Sequence, residues 1–288
     1  MDKKELRDVL KDIIEYWEGE EDDCEKTRDE DILEFSSEFL NYLNEVTDFK
    51  LYRYSKADYY NIRNIETQRI HLSPNGILND AYEGFANPYS VEDGFLDNPY
   101  LEDMAYMSCF SEDNDNLLMW AHYGDNHRGI CVEYDIKKMI TSEEKSHIFP
   151  IIYTEYVYLN REFHRISDEM NNIDRDIKER YVHDDEGYLK DILPLFVEKS
   201  AEWSYEKEWR LIFTKYQMYE KDNDNLYKGI IDFPYISAIY LGCKIEKSIE
   251  DHIKEIVNRL NSNGSSIKLF KSKLNNLKYG LSFEEIVL

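Results

Sequence analysis

"SYEKEWRLIF", residues 204–213, ends like a β-strand but carries Glu206, Lys207, Glu208 and Arg210 ahead of its apolar end. A strand's period of two puts Trp203, Tyr205, Trp209, Leu211 and Phe213 on one face, interrupted by Lys207. Ser204, Glu206, Glu208 and Arg210 fall on the other. The first is a core face. The second sets the Glu206 and Glu208 carboxylates roughly 7 Å apart, two steps of strand rise. That face is either a solvated ladder, with Arg210 pairing Glu208, or one wall of a site.

Working outward, "FKLYRYSK" (49–56) alternates as a strand and puts Arg53 on the face of Phe49 and Leu51. A guanidinium there needs a partner, because an unpaired buried charge is costly. An internal carboxylate, Glu208 or Asp80, would serve; so would a phosphate, which suits the planar fork. "AYMSCFS" (105–111), "GICVEYDI" (129–136) and "IFPIIYTEYVYL" (148–159) read as further strands. "NLLMWAHYGDNHR" (116–128) reads as a short helix and turn, in which Trp120 and Tyr123 pack and Gly124 and Gly129 turn the chain. Residues 160–200 read as two charged helices, and the tail alternates strand, helix and strands. Residues 73–103, with Pro74, Gly76, Gly84, Pro88, Gly94 and Pro99, form a loop whose length suggests function. Before all this, Leu6, Val9, Leu10, Ile13, Ile14 and Trp17, then Ile32, Phe35, Phe39, Leu40, Leu43 and Val46, make two apolar stripes of helical period. The expectation is an N-terminal helical arm, residues 1–47, docked on the body, on a partner protein or on a second copy. Residues 48–288 are expected to form one α+β domain of small mixed or antiparallel sheets with inserted helices.

The composition narrows the function. A net charge of -25 opposes general binding to a nucleic-acid backbone, though not a short substrate at a local site. With 24 Tyr and 13 Phe the chain is rich enough in aromatics to fold despite its acidity. No apolar run approaches the roughly 20 residues of a membrane span, and the charged start lacks a signal-peptide run. Cys24, Cys109, Cys131 and Cys243 are spread singly, without zinc or redox spacing. A reduced, cytoplasmic protein that does not engage a membrane is expected.

"SCFSEDNDNLLMWAHYGDNHRGICVEYD" (108–135) is similar to the signature of the bacterial family catalogued as domain of unknown function 2971. "LYRY" (51–54), "LSPNGILNDAYEG" (72–84), "YEKEWRL" (205–211) and "AIYLG" (238–242) follow the family's order, so the resemblance spans about residues 49–285. One departure is that Ala81 and Tyr82, rather than Pro and Phe, follow Asn79 and Asp80. Family members resemble genes near phage-defence and mobile elements, which implies an effector or immunity role. The order of Arg53, Ser108 or Ser111, and Glu206 with Glu208 also resembles arginine-serine-glutamate ADP-ribosyltransferases. "SCFS" replaces their usual serine-threonine-serine, and the 160–200 helices would be an insertion.

That second resemblance implies an ADP-ribosyltransferase-like fold and NAD as a substrate, with a protein or nucleic-acid acceptor. Glu208 would stabilise the oxocarbenium-like ribose formed as nicotinamide leaves, and Glu206 would orient the acceptor. Arg53 would bind phosphate, Ser108 or Ser111 the ribose side, and Tyr123 or His122 would line the pocket by stacking. His122 and His127 lack the i, i+4 spacing of a helical zinc pair, so no metal is assigned. A metal-dependent nuclease built on Asp80, Glu83, Glu206 and Glu208 is the first alternative, set back by the lack of a strand-borne lysine on the right face. Asn79 and Asp80 otherwise read as a turn device. A non-enzymatic acidic adaptor or inhibitor is the second alternative.

Overall fold

A computed structural model describes residues 2–19, 28–80, 82, 105–141, 147–155, 193–214 and 229–288. Two helices, α1 (Lys3–Gly19) and α2 (Arg28–Glu45), lead into strand β1 (Lys50–Ser55) and helix α3 (Tyr59–Thr67). Strands β2 (Arg69–His71), β3 (Ser73–Pro74) and β4 (Ala105–Ser111) follow, then helix α4 (Leu117–His122) and strand β5 (Ile130–Asp135). Next come β6 (Ile148–Pro150), β7 (Ile152–Thr154), β8 (Glu198–Ser200), β9 (Glu208–Thr214), β10 (Ile230–Asp232) and β11 (Ile236–Leu241). Helix α5 (Lys247–Ser262) and strands β12 (Lys268–Leu274) and β13 (Leu281–Glu285) close the chain.

The fold is α+β. Nine strands form a mixed sheet in the order β13-β12-β11-β5-β1-β4-β9-β6, with β3 added alongside β4. The pair β11–β12 is parallel, and α5 makes the crossover between them. The pairs β10–β2 and β7–β8 form two small sheets. Among the described residues no helix is long and apolar enough to cross a membrane.

The expected helical pair is present and shares the core of the sheet. Leu6, Leu10 and Ile14 of α1 are spaced by four and stack on one face, and all three are buried with Phe35, Phe39 and Leu43 of α2. Phe39 meets both Phe49 and Trp209, at ring-centroid distances of 5.8 and 5.7 Å. Arg7 of α1 reaches further. It ion-pairs with Glu112 at 2.6 Å. It also donates to the carbonyls of Ile151 at 3.2 Å and Glu208 at 3.5 Å. The helical pair therefore backs the strand that starts at Glu208.

Two expectations about local structure are corrected. The strand does not run from residue 204: Ala201–Glu206 is a 3-10 turn, Lys207 takes the left-handed conformation (φ 45°), and β9 begins at Glu208. The left-handed residue breaks the two-residue alternation, so Glu206 and Glu208 leave different elements. Of the helices expected over 160–200, Pro194–Val197 forms one helical turn and Glu198–Ser200 is strand β8, because it pairs with β7. The remainder of that stretch, most of the 73–103 loop and Glu83 lie outside the described residues.

Candidate active site

The site begins with a fault in the sheet. β1 pairs with β5 along its whole length, from Lys50↔Asp135 to Ser55↔Ile130, but with β4 only at Tyr52↔Ser111. Beyond that point β1 and β4 part, and a cavity of about 260 Å³ lies between them. Consecutive residues of both strands line it, Tyr52 to Tyr54 and Met107 to Ser111. Residues of alternate parity point to opposite faces of a strand, so both can line one space only where the strands have separated. Ser73, Asn79, Met119, Tyr123, Lys199, Glu206 and Glu208 also line it.

The expected residues Arg53, Ser108, Ser111, Tyr123, Glu206 and Glu208 thus border one cavity. His122 does not: it is exposed, its ring 6.5 Å from that of Tyr205. α4 explains the difference. Asn116 caps it by accepting from the Leu118 and Met119 N–H groups, at 2.9 and 3.3 Å. That helix buries Met119 and Trp120 and leaves His122 on the outer side, while Tyr123 at its C-terminus turns inward.

Glu206 and Glu208 are both buried, and they converge on Lys199 of β8. Lys199 Nζ lies 2.7 Å from Glu206 Oε2 and 3.1 Å from Glu208 Oε2. The other Glu206 oxygen accepts from Tyr123 OH at 2.5 Å, and the same phenol oxygen accepts from Asn79 Nδ2 at 2.7 Å. Glu208 is gripped by Arg210, whose Nε donates at 2.7 Å and NH2 at 3.2 Å. Arg210 is fully buried and donates from NH1 to the Phe196 carbonyl at 2.8 Å. The reading of Glu208 and Arg210 as an exposed surface ladder is therefore corrected: the pair exists, but it is closed from solvent by the helical turn and β8.

These partners separate the two carboxyls. Burial pushes the Glu206 carboxyl above its ordinary value, reinforced by the Glu208 charge and only partly opposed by Lys199. Burial pushes Glu208 the same way, but Arg210 and Lys199, with the Cys109 thiol donating to it, prevail and hold it at about 2. The surroundings thus favour the anion at Glu208, while the Glu206 carboxyl binds a proton more readily than an ordinary one. Pairs whose environments drive them apart in this way are how acid–base roles are divided in active sites.

The serines also differ. Ser111 Oγ donates to the Glu206 carbonyl at 2.6 Å and so fixes the turn that carries the carboxylate. Ser108 Oγ is buried and has no hydrogen-bond partner. Arg53, for which either an internal carboxylate or a phosphate would serve, meets no carboxylate among the described residues; its NH1 donates at 3.5 Å to the neutral Asn61 Oδ1. Asp80 keeps its turn role, accepting from the Tyr82 N–H at 3.0 Å, whereas Asn79 leaves the turn to hold Tyr123. Among the described residues no group of three or more His, Cys, Asp or Glu is placed to hold a metal ion.

Lys199 is the residue of the candidate site that the sequence did not single out. It precedes Glu206 by seven residues, and strand β8 gives way to a 3-10 turn between them, so no single strand or helix runs from one to the other. Cys109, which the sequence does not mark as part of a site, also lines the cavity.

No curated protein and no solved structure matches the chain. Residues 119–211, which carry Tyr123, Lys199, Glu206 and Glu208, match the family described as Protein of unknown function (DUF2971), the family that the sequence motifs resemble.

Proposed function

We propose that the cavity takes NAD and that the protein is an effector enzyme which cleaves it, as an ADP-ribosyltransferase or an NAD glycohydrolase. The observation that carries this reading is the convergence of Glu206 and Glu208 on Lys199 at the wall of a cavity, with Arg53, which meets no carboxylate among the described residues, on the same wall. Breaking the N-glycosidic bond sends its electron pair to nicotinamide and leaves positive charge on the ribose. Glu208 stabilises that charge. Water or an acceptor nucleophile then bonds to the ribose carbon and gives its proton to Glu206, with Tyr123 fixing the carboxylate's orientation. At about 260 Å³ the cavity is smaller than the roughly 300–1,000 Å³ of common ligand pockets, so it suits one end of a dinucleotide.

The test is incubation with NAD, EDTA present, in the absence and presence of candidate protein and nucleic-acid acceptors, with mass spectrometry of the products. Release of nicotinamide by the wild type supports the reading, and its absence under every condition removes it.

A nuclease is the second reading, and Lys199 is what favours it. The lysine whose absence from the sequence pattern weighed against that chemistry stands between Glu206 and Glu208. Among the described residues, however, no group of three or more His, Cys, Asp or Glu is placed to hold the metal ion that chemistry uses. Metal-dependent loss of nucleic acid, abolished by EDTA, would decide for it.

A further inference from the structure

We infer that strand β13 is a docking edge for a second copy of this chain, the two β13 strands pairing antiparallel about a two-fold axis at Phe283.

The backbone supplies the first half of the argument. β13 ends the nine-stranded sheet and pairs only with β12 among the described residues. The Gly280 carbonyl accepts from the Asn275 N–H at 3.0 Å, and the Ile286 N–H donates to the Leu269 carbonyl at 2.8 Å. The even-numbered residues therefore turn their N–H and C=O groups toward β12. The alternation of the strand turns those of Leu281, Phe283 and Glu285 outward. An open row of this kind is a template for another strand.

The side chains decide which strand fits. Leu277 and Tyr279 precede β13 and Val287 follows it, and they are 97, 100 and 91% exposed. Exposed apolar groups gathered along one edge mark an interaction surface. Tyr279 and Val287 each stand four residues from Phe283, one on either side. A two-fold axis at Phe283 thus brings the Tyr279 end of each copy alongside Val287 of the other and covers both. A two-fold interface requires this self-complementarity, and an unrelated strand has no reason to match it. The same register overlaps all five residues of β13, setting the outward groups of Phe283 against each other and those of Leu281 against Glu285. Glu284 falls opposite Ser282, so no two like charges meet, and Glu284 is already ion-paired with Lys273. Moving the axis to Glu284 would shorten the overlap and set two carboxylates face to face. On one face of the sheet the Tyr240 ring lies 4.9 Å from both Phe283 and Phe270. Pairing the two half-buried Phe283 rings joins these aromatic rows across the axis.

Sedimentation of the full chain over a concentration series is the first test. The expected species is a dimer, twice the 34.6 kDa of one chain. Glu285→Pro removes an outward N–H and no bond to β12, a position where an edge strand accepts proline, so it should give a folded monomer. Tyr279→Asp should raise the dimer dissociation constant about tenfold or more and leave the thermal midpoint of the monomer unchanged. The register is tested by Leu281→Cys combined with Glu285→Cys. Opposed Cα atoms in such a pair lie about 5.5 Å apart, within reach of a disulfide. With copper phenanthroline and oxygen the double variant should form a covalent dimer above the background of the wild-type cysteines. Neither single variant should, because its like positions stand four residues apart, roughly 13 Å. A chain that stays monomeric at every concentration, its edge left to a strand of some other protein, would overturn the inference. So would a dimer that persists in a folded Glu285→Pro, or a cysteine pair that does not link. If Glu285→Pro fails to fold, the cysteine pair decides.

Discussion

Lys199 Nζ and Glu206 Oε2 stand 2.7 Å apart in the protein interior, and the same ammonium reaches Glu208 at 3.1 Å. One cation therefore sits between two carboxylates whose charges would otherwise repel in a poorly solvated space. The ring of Trp203, 4.8 Å from Nζ, adds to its surroundings.

Removing that cation should be damaging out of proportion to its size. Lys199→Met leaves two buried carboxylates with Arg210 alone, and breaking one partner of a buried pair costs about 3–5 kcal/mol. Urea unfolding at neutral pH should show a loss in that range. The double variant Lys199→Met with Glu206→Gln should recover part of it, because one of the stranded charges is gone. Full additivity of the two changes would contradict this coupling.

Stability should depend on acidity through Glu208. Its folded pKa of about 2 lies below the ordinary 4.5, so its stabilising contribution is complete above about 4.5 and is lost as pH falls toward 2. Glu206 has the opposite sign: its raised pKa means that protonation near the acid side favours the folded form. Unfolding free energies measured between neutral and acid pH should fall less steeply in Glu208→Gln than in the wild type. In Glu206→Gln the fall should be steeper.

If the protein cleaves NAD, Glu208→Gln should lower the turnover rate by about 10²–10³, with NAD binding affected far less. Glu206→Gln should lower the rate as well. It should also flatten the acid limb of the pH–rate profile, because the group that titrates there has been removed. Equal turnover in wild type and Glu208→Gln would end the assigned role.

The helical pair should prove part of the core. Leu10→Ala removes a fully buried side chain and should cost about 2–5 kcal/mol. Deleting residues 2–19 would uncover Phe39, Phe49 and Trp209, so binding of a hydrophobic dye should increase and the thermal midpoint should fall. A truncated protein with unchanged stability and no dye binding would contradict the shared core.

Gly129 and Gly242 should not tolerate a methyl group. A Cβ on Gly129 would run into the Ser55 carbonyl, and one on Gly242 into the His127 carbonyl. Both obstacles are backbone, which cannot rotate away. Gly129→Ala and Gly242→Ala should each lower the thermal midpoint, with the loss measurable by calorimetry.

The sequence determined the elements whose signal is local. The helical stripes of α1 and α2 and the alternation in β1, β4 and β5 follow from apolar periodicity, which one strand or helix expresses without help from the rest of the chain. It also singled out Arg53, Glu206 and Glu208, because charged residues in segments of strand-like alternation stand out against their neighbours, whereas Ser108 came only from the resemblance to the ADP-ribosyltransferase order. Tertiary structure decided what those residues face. Lys207 adopts a left-handed conformation that no period predicts, and it sends Glu206 and Glu208 out from different elements toward one lysine. The parting of β1 from β4 opens the cavity, on whose wall Arg53 meets a neutral amide oxygen and no carboxylate among the described residues. The burial of Arg210 turns a surface pair into an interior one and drives the two carboxyls apart in acidity. Each of these depends on which distant segments meet and on how much water they exclude, and the order of residues along a chain does not encode that distance by any local rule.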